Sequence, residues 1–146
     1  AGILPRVACF IWKEIERYKT TFNQEMFIEV SALEIYCENI RDLLWQPESS
    51  QDLPQPKYVE MKTIGSKVHC IGQTWVRVDS PKLFMQQIIA SRDKRVFKAN
   101  GVHPHSSRSH HIFQIRINSL NRLGKPQKSL LNIVDLAGSE RRNNFY

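Results

Sequence analysis

Two hydrophobic rhythms alternate along this chain, and that alternation limits the possible folds more than any other feature. Met26, Ile28, Val30 and Ala32 alternate with Phe27, Glu29, Ser31 and Leu33, the period of a strand. Phe113, Ile115 and Ile117 repeat the pattern, and Leu130 to Val134 forms another apolar strand run. Between them, Val7, Phe10, Ile11 and Ile15, then Leu83, Phe84, Ile88 and Ile89, recur at helical spacing. Strands alternating with helices predict an α/β sheet flanked by helices. Both faces of the 26–33 strand carry apolar residues, so it belongs inside the sheet.

Local signals place the ends. Pro5 opens the first helix, where its missing N–H would have no partner, and the helix is expected to end near Tyr18-Lys19-Thr20. Ser80-Pro81 reads as N-cap and first position of a second helix running to about Arg95, whose basic last turn suits the helix dipole. Tyr36, Ile40, Leu43 and Leu44 have helical spacing and predict a short helical turn after the first strand. Residues 46–57 hold Pro47, Pro54 and Pro56 and read as a loop. Tyr58 to Lys62 and Val68 to Val78 predict strands around a turn at Gly65, with Lys57, Lys62 and Lys67 clustered there. A turn at 121–126 makes the last two strands a hairpin.

Composition narrows the function classes. With 146 residues the chain suits one domain, and no apolar run is long enough to cross a membrane. Cys9, Cys37 and Cys70 are odd in number and widely spaced, which argues against a disulfide framework or a zinc site and for neutral thiols. The formal charge of +7 favours acidic partners without choosing among them.

Two segments carry chemistry. Ser106-Ser107-Arg108-Ser109 packs three hydroxyls and a guanidinium into four residues, a set able to bind phosphate oxygens and a metal-bound water. Asp135-Leu136-Ala137-Gly138 puts an acid at the end of an apolar strand, followed by a glycine whose N–H can approach a phosphate closely. Each alone has a plainer reading, a solvated loop and an acid capping a turn.

Together and in order, the segments resemble the switch I (N-x-x-S-S-R-S-H) and switch II (D-L-A-G-S-E) motifs of kinesin motor domains. Asp135 to Glu140 matches the second motif completely. Gly2-Ile3-Leu4-Pro5-Arg6 resembles the family's G-I-I-P-R, and Ala32 to Leu44 its S-x-L-E-I-Y-N-E-x-x-R-D-L-L strand. The resemblance covers the chain up to Arg142 and implies part of a P-loop NTPase-like motor fold, a mainly parallel central sheet with antiparallel hairpins, over residues 1–146 as a single partial motor domain. It also implies roles. Ser107 would contact the Mg2+ shell, Ser106 would place the attacking water, and Asp135 would hold a magnesium water. Gly138 would sense the γ-phosphate of ATP, and Arg108 and Glu140 would bridge the two switches. Lys62 and Lys67 would lie on the loop that touches tubulin, whose acidic surface suits the basic charge. The implied partner is the microtubule, with no nucleic acid and no membrane insertion, in the cytoplasm and cytoskeleton; the parent is expected to dimerise through a coiled coil outside this chain. Residues 81–110 and the Y-V-E-M-K segment resemble C-terminal-motor kinesins most.

The chain departs from the family pattern in two ways. It contains no G-x-x-x-x-G-K-S/T phosphate loop and reads as starting just after it, so the 146 residues alone are expected to be inactive. His103 stands where the family has Asn, followed by Pro104. That departure keeps open a non-hydrolysing kinesin-like module for microtubule binding or dimerisation. Three further readings are weak. A Ser109–His110–Asp135 triad lacks a nucleophile elbow, and its adjacent Ser and His would face apart on a strand. A metal site from His103, His105, His110 and His111 lacks a completing Cys or acid. A nucleic-acid binder has only charge in its favour.

Overall fold

The computed structural model describes residues 2–23, 25–47, 56–96, 108–121 and 123–139. Helix α1 (Ile3–Phe22) leads into strand β1 (Phe27–Tyr36), then β2 (Asn39–Asp42), β3 (Lys57–Tyr58), β4 (Glu60–Ile64), β5 (Lys67–Ile71) and β6 (Val76–Val78). Helix α2 (Pro81–Val96) and strands β7 (His110–Leu120) and β8 (Pro126–Asp135) complete it. The main sheet runs β3-β2-β1-β7-β8, with β6 also on β1, and β4 and β5 form a separate pair. The α/β class is as expected. The strand direction differs: every ladder among the described residues is antiparallel.

The helices cover one face of the sheet. Ala8 and Ile11 of α1 and Phe84 of α2 pack on Ile28, Val30 and Ala32 of β1 and Phe113 and Ile115 of β7. Phe84 sits edge-on between Trp12 (5.5 Å) and Phe113 (5.7 Å), the favoured geometry for rings whose faces are negative and edges positive. Ser80 caps α2 by accepting the Leu83 N–H at 3.3 Å, as its sequence predicts. Helix α1 outruns the expected end at residues 18–20 and stops at Asn23, whose left-handed φ of 50° turns its N–H back to the Lys19 carbonyl.

The helical turn expected over 36–44 is absent. Residues 36–42 instead close a hairpin, with Tyr36 opposite Asn39 and Glu34 opposite Arg41. Cys37 and Glu38 form the connection at φ of 48° and 63°. A two-residue turn with both φ values positive matches strand twist, and it returns the chain with the same spacing that mimicked a helix. Asp42 then fixes the exit, accepting the N–H groups of Leu44 (3.0 Å), Trp45 (3.1 Å) and Thr74 (2.7 Å).

On the face away from the helices, where Leu33, Ile40 and Val59 form a second buried cluster with Cys70 packed against it, a row of side chains crosses the sheet. Gln73 donates to Ser31 at 2.7 Å and to Gln114, which donates to Asn132 at 2.9 Å. Arg116 lies 3.9 Å over the Trp75 ring and pairs with Glu29 at 2.8 Å, which holds that carboxyl below its usual pKa range.

Candidate nucleotide-switch site

The site lies at the end of the sheet where β7 begins and β8 ends. Glu34, His111 and Asp135 are register partners on the adjacent strands β1, β7 and β8. By strand alternation they share the helix-covered face with Ala32 and Phe113. Charge at the covered end of a sheet requires compensation, and two arginines supply it. Glu34, 1% exposed, receives Arg41 Nη2 at 2.5 Å and the Ser109 hydroxyl at 2.9 Å. Arg95, near the end of α2, lies 3.9 Å from the same carboxylate through Nε. Its Nη1 meets Asp135 Oδ2 at 3.2 Å, and its Nη2 reaches the Ser109 carbonyl at 3.4 Å. Arg41 also donates to the Lys94 carbonyl at 2.9 Å, tying β2 to the same helix end. Lys94 reaches the Trp45 carbonyl, and its burial lowers its pKa.

Two histidines follow Ser109. His110 Nδ1 accepts the Ala137 N–H at 3.0 Å, so the residues after β8 are hydrogen-bonded to the start of β7. This places the ring proton on Nε2. His111 is buried, and burial, reinforced by the charge of Arg95, pushes its pKa down to about 4. A 480 Å³ cavity beside it is lined by Gly2, Met85, Ile88, Arg92 and Asp135.

The structure brings some sequence-predicted residues together. Arg108 and Asp135 lie at the same end of the β7–β8 pair, Arg108 exposed and near enough to Tyr36 to act on its ionisation. Gly138 is exposed three residues past β8. Ser106, Ser107 and Glu140 lie outside the described residues, and with them the Arg108–Glu140 bridge. Lys62 and Lys67 are far along the chain on the separate β4–β5 pair, opposite His69 and Ile64. Among the described residues no group of three or more His, Cys, Asp or Glu could hold a metal by itself. The Asp135 carboxylate, 70% exposed, fits an ion held mainly through water and phosphate, as magnesium is.

The kinesin motor domain family matches residues 1–145. This chain belongs to the kinesin motor family. Kinesin-like protein Klp68D of Drosophila melanogaster is 34% identical over 97% of this kinesin chain and 17% of its own length. Human kinesin heavy chain isoform 5C is 36% identical over 96% of the chain and 14% of its own length. Among solved structures, a fast kinesin superimposes with a TM-score of 0.81 at 31% identity, covering 99% of this chain and 39% of that one. The Kar3 motor domain of Saccharomyces cerevisiae does so with a TM-score of 0.70 at 30% identity, covering 97% and 42%. The chain therefore spans under a fifth of those curated relatives and about two-fifths of those solved structures. Their similar identities single out no subfamily.

Reading by motif missed Glu34, Arg41 and Arg95 as members of the site. The available signal was charge in the wrong place: Glu34 sits between Leu33 and Ile35 in an apolar strand. A charge there needs a partner.

Proposed function

We propose that this chain is the switch-bearing part of a microtubule-dependent motor that hydrolyses ATP with Mg2+. The observation that carries the reading is the convergence of the serine loop's last residues and the Asp135–Gly138 segment, joined through Arg95 and through His110. In this reading Asp135 holds a magnesium water, with Ser107 contacting the same shell. Ser106 places the attacking water, and Gly138 meets the γ-phosphate. Arg108 and Glu140 close the two loops on each other, and nucleotide state is passed to the microtubule face, which includes Lys62 and Lys67. Magnesium bound with ATP would supply charge neutralisation on the phosphates. The motor works on cytoplasmic microtubules, and a coiled coil outside this chain would dimerise the parent.

The test is microtubule-stimulated, magnesium-dependent ATP turnover by the motor carrying these residues, with Asp135→Asn beside it. Turnover is expected, with a loss of at least about a hundredfold in the variant. The isolated 146 residues, lacking a phosphate loop, are expected to show none. Microtubule binding that ignores nucleotide, with no turnover, would instead establish the non-hydrolysing module that His103 and Pro104 leave open.

A further inference from the structure

Beneath the exposed Asp135 carboxylate sits a guanidinium shared among more acceptors than it can hold closely. Arg95 meets Asp135 Oδ2 at 3.2 Å, the Ser109 carbonyl and hydroxyl at 3.4 and 3.5 Å, and Glu34 Oε1 at 3.9 Å. Close charge-assisted N–H···O bonds are about 2.7–2.9 Å. Glu34, by contrast, is held closely from elsewhere, by Arg41 at 2.5 Å and by the Ser109 hydroxyl at 2.9 Å. Arg95 therefore lies between a fixed buried acid and a carboxylate that is 70% exposed.

We propose that Arg95 is a positioning residue that couples Asp135 to Ser109, trading its contact with Asp135 for a closer one with Glu34. The inference rests on reading Asp135 as the magnesium-facing acid. Arg95 itself is 7% exposed, and in this reading it acts through Asp135 and Ser109. When Asp135 turns outward to a cation-bound water, the 3.2 Å contact between Nη1 and Asp135 is released. The guanidinium then closes its gap to Glu34, and because Nη2 contacts Ser109, the base of the serine loop moves with it. The planar fork lets one side chain touch all three residues; a lysine ammonium is a single point and cannot.

Hydrogen exchange of main-chain amides in the full 146-residue chain tests this without nucleotide. Ala137 reports one side, through its bond to His110, and Ser109 to His111 report the other. In Arg95→Met both sides are expected to exchange about tenfold faster, while Phe113 to Ile117 stay within about twofold. Arg95→Lys is expected to restore Ala137 and leave Ser109 to His111 fast. Unchanged exchange at Ala137, uniform loss of protection, or equal rescue of both sides by lysine would each overturn the proposal. Should Arg95→Met fail to fold, Asp135→Asn opens the same contact from the exposed side. Faster exchange at Ser109 to His111 is then expected, and no change there overturns the coupling. Coupled exchange in this chain, with no magnesium-dependent turnover by the longer motor carrying these residues, would retire the ATPase reading alone; turnover by that motor without coupled exchange would retire this inference alone.

Discussion

The charges around Glu34 and those on the β4–β5 hairpin are built in opposite ways. At Glu34 an acid and two arginines are buried together, with side-chain exposures of 2%, 11% and 9%. On the hairpin every residue is exposed except Cys70, which packs on the Leu33, Ile40 and Val59 cluster, and among the described residues β4 and β5 pair only with each other. The first arrangement ties four chain segments into one block, so its charges are structural whatever else they do. The second leaves Lys62 and Lys67 able to meet an acidic surface while contributing little to the fold. Burial separates charge that holds the switch end together from charge that is available to a partner.

The comparison breaks most readily at its buried side. Glu34→Ala leaves two buried guanidiniums without their shared acid and is expected to cost about 3–5 kcal/mol. Urea unfolding measures it; a cost below about 1 kcal/mol would mean that the arginines find water instead.

His111 gives the next largest effect. Its pKa falls from 6.5 to about 4 on folding, so the unfolded chain takes up the proton first. Stability is full above the unfolded value, declines as pH drops from about 6.5 to about 4, and levels off below. The whole change is about 3 kcal/mol, and His111→Gln should flatten that window in unfolding curves.

The β1–β2 turn should respond less and in the opposite direction. Cys37 and Glu38 hold positive φ without being glycine. Replacing them as Cys37→Asn with Glu38→Gly is expected to stabilise by about 1 kcal/mol, read as a higher melting temperature. Smallest is the hairpin. Lys62→Ala with Lys67→Ala should move stability by less than about 0.5 kcal/mol while weakening microtubule cosedimentation. A large stability loss there would erase the contrast.

Much of this architecture can be read from the residues because its signals are local. The Ser80 cap, the Gly65 turn at φ 63° and the alternation in β7 each declare themselves within a few positions. The β1–β2 hairpin was hidden because Tyr36 and Ile40 fall four apart whether the chain coils or doubles back. Only the positive φ values at 37 and 38 decide between these, and neither residue type announces them. The candidate site divides the same way. Arg108, Asp135 and Gly138 stand in contiguous motifs. Glu34, Arg41 and Arg95 belong to the site only because β1, β2 and α2 converge on it from far apart in sequence.

Strand β8 has a practical meaning for anyone handling this polypeptide. It is the terminal strand of the sheet order, and among the described residues nothing pairs along its outer side. Leu130, Leu131 and Val134 are all solvent-facing along it. Such a border is a template for another extended segment, so self-association should rise steeply with protein concentration. For the 146-residue chain on its own, the quality of a purified sample is then expected to follow its concentration, and dilution is expected to slow the loss.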